Sequence, residues 1–253
     1  NEYDPGNNGN RRYLYTLQQG QGVDNRENIS WIWLINDTAG NRNATSINSF
    51  TVTNRPSEKP YLNISNNTFI PVINISLRVD AYDPDSDNIS FFIYNTTSAN
   101  SSTSKLYFSI NTSTNFTTFN ITSLAEGQHY LYTVANDSTI QNSTLSNTSD
   151  ILLLTVDTLV PTITSITSPS ATSTICTLTG ISLSYAVSDT NVDYCVFNVT
   201  SGGSTFVSDT TLSDCASGSF AVTDDGNYTL GLKVVDKAGN SNSTYRNFTV
   251  NRD

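Results

Sequence analysis

Nine Asn-x-Ser/Thr triplets have a large apolar middle residue, and this arrangement constrains the fold more than any other feature of the sequence. Asn63-Ile-Ser65, Asn120-Ile-Thr122 and Asn227-Tyr-Thr229 are examples. Successive side chains of a β-strand point to opposite faces, so on a strand such a triplet exposes the Asn and the hydroxyl and buries the residue between them. Since no segment has a convincing helical period, we predict an all-β chain with polar outer sheet faces.

The same triplets are acceptor sites for N-glycosylation, and they are more frequent than composition explains. The chain has 19 of them, whereas its 31 Asn and 70 Ser plus Thr residues give about 9 by chance. We expect N-linked glycans and a secreted protein; the alternative is a polar outer face with accidental triplets. The predicted acceptors are Asn28, Asn36, Asn43, Asn63, Asn66, Asn74, Asn88, Asn95, Asn100, Asn111, Asn115, Asn120, Asn136, Asn142, Asn147, Asn198, Asn227, Asn242 and Asn247.

Composition excludes several classes of protein. With 36% hydrophobic and 10% aromatic residues the chain can bury a core and is not a disordered tract. Its net charge of −10 and its twelve scattered basic residues argue against a nucleic-acid surface. No apolar run approaches the roughly 18 residues of a membrane helix, so we expect no membrane span in this segment.

An internal repeat predicts tandem domains. The turn Asp37-Thr-Ala-Gly-Asn41 returns as Asp236-Lys-Ala-Gly-Asn240, with Asp137 at the corresponding place between them. A period near 100 residues is the length of an immunoglobulin-type sandwich, far above solenoid periods. We predict a partial domain over 1–54, containing only C-terminal strands, and two complete sandwiches over 57–157 and 158–253, joined by short Pro-containing linkers.

We predict strands where apolar and polar residues alternate and where turn residues bound the segment. In Asp224-x-Gly226-x-Tyr228 we predict a tyrosine corner, in which the phenol bonds to nearby backbone. The strands predicted for the last domain are 162–166, 181–187, 193–200, 205–209, 219–223, 228–236 and 245–250, and those for the first are 12–17, 28–36 and 50–53.

The first domain lacks about 45 residues of a complete repeat, and its strands carry Trp31, Trp33 and Ile35. Such strands expose an apolar face and unpaired edges. Either the chain is a piece of a longer repeat protein, or another subunit supplies the missing strands.

Four segments carry a family resemblance: Cys195-Val-Phe-Asn-Val-Thr-Ser-Gly-Gly203, Asp214-Cys215, Asp225-Gly-Asn-Tyr-Thr-Leu230 and Asp236-Lys-Ala-Gly-Asn240. They resemble the immunoglobulin-like repeats of archaeal and bacterial surface proteins, with a sequon density that looks archaeal. Such repeats occur in S-layer proteins, adhesins, extracellular filaments and spacers of secreted enzymes. The resemblance implies a Cys195–Cys215 disulfide, which leaves Cys176 either buried and free or linked to another molecule. A Cys176–Cys215 bridge is the second choice.

Alternating acids suggest a calcium site. Asp83, Asp85 and Asp87 present oxygens on one side of a turn, as a hard cation requires, and Asp189 and Asp193 occupy the same loop of the last repeat. The alternative is acidic residues that cap a turn. We expect no other cofactor.

The sequence contains no recognisable group of catalytic residues. His129 is the only histidine, and no nucleophile motif accompanies it.

We expect an extracellular, glycosylated structural protein that polymerises with copies of itself into a filament or pilus-like fibre. An adhesin, or an S-layer or spacer module of a larger secreted protein, is the alternative. Because only four of the 19 triplets follow residue 157, we expect the last domain to make most protein contacts, together with the apolar first domain.

Overall fold

The computed structural model describes residues 28–36, 39–51, 55–86, 88–96, 98, 105–137 and 146–253. These residues form 21 strands and no helix, so the chain is all-β as the sequence predicts. The described residues consequently include no helix that could span a membrane. We call residues 1–54, 57–157 and 158–253 the first, second and third units.

The described part of the first unit consists of two separate antiparallel pairs. The sequence predicted one strand over 28–36, but the chain changes partner in its middle. Trp31 pairs with Asn48, whereas Leu34 pairs with Ala44, and Trp33 exchanges hydrogen bonds with Thr45. The strands are β1 (Asn28–Trp31), β2 (Leu34–Asn36), β3 (Arg42–Ala44) and β4 (Asn48–Thr51), with β1 paired to β4 and β2 to β3. The strand predicted over 12–17 lies outside the described residues.

The second unit is a two-sheet sandwich. One sheet has the order β10-β7-β5 and the other β6-β13-β11-β8-β9, with β12 also paired to β11. Its strands are β5 (Tyr61–Leu62), β6 (Thr68–Ile70), β7 (Ile75–Asp80), β8 (Ile89–Thr96), β9 (Lys105–Thr112), β10 (Phe116–Ile121), β11 (Gly127–Asn136), β12 (Ser146–Thr148) and β13 (Leu152–Val156).

The third unit repeats the same order. Its sheets are β14-β16-β19 and β15-β21-β20-β17-β18, which match β5-β7-β10 and β6-β13-β11-β8-β9 strand for strand. Its strands are β14 (Thr162–Ser168), β15 (Thr174–Ile175), β16 (Ile181–Ser188), β17 (Val192–Ser201), β18 (Ser204–Ser213), β19 (Gly218–Phe220), β20 (Gly226–Asp236) and β21 (Ser241–Val250). This equivalence shows tandem immunoglobulin-like sandwiches.

Each sandwich has its own core between its sheets. Val79, Phe91 and Leu131 lie in the core of the second unit. Phe197 and Leu230 lie in that of the third. Alternation along each strand sends the other side chains outward. In the third unit all four sequon Asn residues lie on strands, three of them beside a buried residue, and in the second unit Asn120 on β10 has buried neighbours on both sides.

The tyrosine corner is confirmed. Tyr228 is buried and its hydroxyl donates to the carbonyl oxygen of Asp224 at 2.6 Å. This bond fixes the turn that leads into β20, and it places the residues on either side of Tyr228 on the outer face.

Candidate functional site

The candidate functional surface consists of the sequon side chains, and most of those described face solvent. On β10, Asn120 is exposed while its neighbours Phe119 and Ile121 are buried, as alternation predicts. Exposure leaves room for a bulky modification on the side-chain nitrogen. The exposed acceptors are Asn43, Asn63, Asn66, Asn74, Asn88, Asn111, Asn115, Asn120, Asn227, Asn242 and Asn247.

Asn136 is the one fully buried acceptor in the described part of the chain. Its residue is 0% exposed at the end of β11. The strand is central, paired to β8 on one side and to β12 on the other, and its last six residues are all buried. The folded chain leaves no room for a sugar at Asn136, so a glycan there would have to be added before folding, and the assignment stays a prediction.

Three acceptors are half-buried, and each uses the nitrogen that would carry the sugar. Nδ2 of Asn95 lies 2.9 Å from Nδ1 of His129, and Nδ2 of Asn198 donates to Asp209 at 2.8 Å. Nδ2 of Asn147 donates to the backbone oxygen of Ser57. A glycan replaces one of the two N–H groups at such a nitrogen, so we expect low occupancy at these three positions.

Four further acceptors have no described side chain. Asn28 and Asn36 lie on β1 and β2, where only the backbone is described. Asn100 and Asn142 lie outside the described residues. Their assignment stays a prediction.

His129 occupies the place of the tyrosine corner in the second unit. Its Nε2 donates to the carbonyl oxygen of Ala125 at 2.8 Å, four residues earlier, exactly the spacing of Tyr228 and Asp224. With Nε2 protonated in the neutral ring, Nδ1 accepts from Asn95. Both nitrogens of this buried side chain are therefore used within the protein, and the ring has a structural role.

The predicted calcium loop after β7 holds an arginine in the structure. Asp85 accepts from Arg55 Nη2 at 2.6 Å and from the Arg55 backbone N–H at 2.8 Å. The hydrogen bond that the Arg55 side chain donates to Asp85 raises the pKa of Arg55. The buried Asp83 accepts from the backbone N–H of Asp85. Asp87 lies outside the described residues. Calcium at Asp83, Asp85 and Asp87 stays a prediction, with Arg55 as a competing cation.

Three other carboxylates converge where the second unit meets the third. Oxygens of Asp157, Asp189 and Asp236 lie within 4.8 Å of one another, and we call these residues the acidic cluster. Asp157 follows β13, Asp189 follows β16 and Asp236 ends β20. Such an oxygen set has the chemistry of a hard-cation ligand.

Amide groups hold the acidic cluster in place. Asn191 donates to Asp157 Oδ2 at 2.7 Å. Asn240 donates from its backbone N–H to Asp236 Oδ1 and from its side chain to the Asp157 backbone oxygen. The sequence pointed to Asp189 through its loop and to Asp236 through the repeated turn. It did not reveal that Asp157, from the linker, joins them.

The third unit contains one disulfide and one free cysteine. Cys195 is bonded to Cys215 with a Cα–Cα distance of 4.7 Å, the pairing that the family resemblance implies. Cys176 is exposed and unpaired in the chain, so the buried alternative does not apply to it.

The first unit exposes large apolar side chains over a short stretch. Leu34 is 76% exposed, Ile47 73% and Trp33 47%, and Trp31 and Phe50 meet edge to face at 5.8 Å on the surface. We call residues 31–34, 47 and 50 the apolar strand surface.

No protein-family model matches the sequence, and no curated protein matches it. Among solved structures, the chain is similar to the fibronectin type III-like modules of CbhA from Clostridium thermocellum. The identity is 17%, the match covers 76% of this chain and 92% of that one, and the TM-score is 0.46.

Two further similar structures are also tandem modules. A two-domain fibronectin type III segment of chicken tenascin is 12% identical over 76% of this chain and 98% of its own, with a TM-score of 0.33. A tetra-tandem repeat from the extending region of a large adhesion protein is 17% identical over 90% of this chain and 57% of its own, with a TM-score of 0.35. Because these TM-scores lie below 0.5, we take the fold from the strand order and register alone.

Proposed function

We propose that the protein is a structural, N-glycosylated extracellular subunit that polymerises with copies of itself into a cell-surface filament, with no catalytic role. Tandem sandwiches with short linkers provide an extended building block. The sequons and the disulfide are features of secreted proteins rather than of reducing compartments.

The apolar strand surface is the observation that carries this proposal. Leu34 and Ile47, each about three-quarters exposed, lie on or beside short strands whose described sheets contain only two strands. Two-stranded sheets are marginal in water by themselves, and soluble monomers rarely leave such patches uncovered. A strand from a second copy would bury these side chains and pair the open edges, which is strand complementation.

The distribution of sequons supports contacts through the third unit as well. The sheet β14-β16-β19 contains no sequon Asn, whereas each of the other five described sheets contains at least one. The outward residues of β16 are Ser182, Ser184, Ala186 and Ser188. This small, uncharged face suits contact between copies that each carry a net charge of −10.

Electron microscopy of the native material tests the polymer. Regular fibres with a repeat of a few nanometres are the expected result. Discrete rods or monomers would contradict it and would leave an adhesin or a spacer module as the function.

A matched pair of variants tests the surface. Leu34→Glu places a charge in the apolar strand surface and should abolish fibres, as read by electron microscopy and sedimentation. Tyr245→Glu on β21 changes a side chain of nearly equal exposure, 73%, outside that surface and should leave fibres intact. Equal assembly of both variants would show that the apolar strand surface is not the contact.

A further inference from the structure

Two sequons of the third unit face each other across neighbouring strands. In the β20–β21 register Asn227 lies opposite Thr249, and Thr229 lies opposite Asn247. Each acceptor Asn is therefore beside the hydroxyl residue of the other triplet.

Their hydrogen bonds are reciprocal. Thr249 Oγ1 donates to Asn227 Oδ1 at 2.8 Å, and Thr229 Oγ1 donates to Asn247 Oδ1 at 2.9 Å. In the described part of the chain neither Nδ2 has a protein partner, and both residues are exposed. The bonds thus hold each amide oxygen against the opposite Thr and leave each Nδ2 without a bond inside the sheet.

The pair rests on a rigid base. Tyr228 and Phe248, the middle residues of the two triplets, are buried and stack at 5.5 Å with an interplanar angle of 21°. Ser201 donates to the backbone oxygen of Asn227 at 2.7 Å. A groove of about 330 Å³, lined by all six residues of the two triplets and by Ala171, lies beside both amides.

We propose that Asn227 and Asn247 form one paired glycan site, which is modified before β20 and β21 pair and which then carries two sugars from one groove. The inference rests on the N-glycosylation in the proposed function. The hydroxyl is the second recognition element of an acceptor triplet. In the closed hairpin both hydroxyls are engaged by the opposite Asn, so a transferase has to act earlier.

The chemistry is a glycosyl transfer from an activated sugar phosphate donor. The anomeric carbon bonds to Nδ2, and its bond to the donor phosphate oxygen breaks. The phosphate leaves with the bonding electrons, and the amide nitrogen loses one proton to a base of the transferase, which releases it to solvent. Afterwards Oδ1 still accepts from the opposite Thr, so both modified side chains keep their place in the sheet.

Asn242 provides an internal control on the same strand. It is exposed, and its Oδ1 accepts from the backbone N–H of Ser243 within its own triplet. Modification of Asn242 therefore does not depend on opening a cross-strand bond.

The test uses the full chain made without glycans and an N-glycosyltransferase that transfers a single hexose from a nucleotide sugar. Enzyme produced together with the chain should modify Asn227, Asn242 and Asn247, as read by peptide mass spectrometry. Enzyme added to the folded chain should modify Asn227 and Asn247 at least tenfold more slowly than Asn242. Equal rates at the three positions would overturn the inference.

Two variants of nearly equal size separate the reciprocal bonds from simple crowding. Asn247→Leu and Asn247→Asp both remove the acceptor amide at 247, but only Asn247→Leu releases the Thr229 hydroxyl, which is the second recognition element of the Asn227 triplet. Modification of Asn227 in the folded chain should rise in Asn247→Leu and stay low in Asn247→Asp. Equal rates in the two variants would contradict the blocking role of the Thr229 bond. If Asn247→Leu fails to fold, the wild-type comparison with Asn242 still decides.

Native material distinguishes the two proposals. Sugars on both Asn227 and Asn247 of one molecule are expected. Sugars elsewhere but not on both of these residues would overturn the paired site alone. Native protein without any sugar would overturn the glycosylated function, whatever the transferase does.

Discussion

His129 donates a hydrogen bond from Nε2 to the carbonyl oxygen of Ala125 at 2.8 Å. The third unit makes the same four-residue contact with a different side chain, from Tyr228 to Asp224 at 2.6 Å. The two units therefore fix the same turn with chemically different donors. The only histidine of the chain therefore takes the place in the second unit that Tyr228 has in the third.

Truncation of this corner should destabilise the second unit. His129→Ala removes the bond to Ala125 and the acceptor for Asn95, and it leaves a cavity, so we expect a loss of about 2 kcal/mol of unfolding free energy. Denaturant unfolding monitored by the fluorescence of the tyrosines and by circular dichroism measures this loss.

Tyr228→Phe is the matched change in the third unit. It removes only the hydroxyl bond to Asp224 and keeps the ring, so we expect a loss of about 1 kcal/mol. A His129→Ala protein as stable as the wild type would show that the hydrogen bond from His129 to Ala125 contributes nothing to the free energy of unfolding.

The local rules of strands predicted the third unit well. Each of its seven predicted strands is present, because alternation and turn residues are local properties of sequence. The two-residue strand β15 was missed, since so short a parallel pairing leaves no alternation to read. The corner at His129 was missed although its spacing was visible, because a histidine is not the usual residue there.

Features that depend on distant segments could not be predicted. Asp157, Asp189 and Asp236 lie at the ends of three different strands, β13, β16 and β20, and come together only in the folded chain. Burial of Asn136 depends on the coverage of a central strand end, whereas alternation alone predicts an exposed side chain at every second position. Residues separated by whole strands meet only once the sheets are packed.

Loss of the disulfide should destabilise the third unit. Its cysteines are 20 residues apart, and a loop of this length corresponds to about 3 kcal/mol in the loop-entropy description. We expect the double variant Cys195→Ala/Cys215→Ala to lose about this much in thermal unfolding. Cys176→Ser, at an exposed unpaired position, should change stability by less than about 0.5 kcal/mol. A comparable loss in both variants would contradict the assigned pairing.

A side chain at Gly231 should disturb Asn198. The two residues are direct partners in the β17–β20 register, and a Cβ at Gly231 would lie 2.5 Å from Asn198 Oδ1. Gly231→Ala should therefore displace Asn198, weaken its bond to Asp209 and cost about 1–2 kcal/mol. At Gly226 the nearest atom to a new Cβ is 3.8 Å away, so Gly226→Ala should be close to neutral. The prediction is wrong if the two variants unfold at the same denaturant concentration.

Charge repulsion in the acidic cluster predicts a stabilising substitution. Asp189→Asn removes one of three clustered charges, and its carbonyl can still accept from the Asn191 backbone N–H. In the presence of a chelator we expect a gain of about 1 kcal/mol, which should shrink at high salt. Asp193→Asn, four residues further along the chain on β17 and outside the cluster, should have little effect. A loss of stability in Asp189→Asn under chelator would contradict the repulsion.

A calcium-dependent rise in Tm that is present in the wild type and lost in Asp189→Asn would show that the acidic cluster holds the cation.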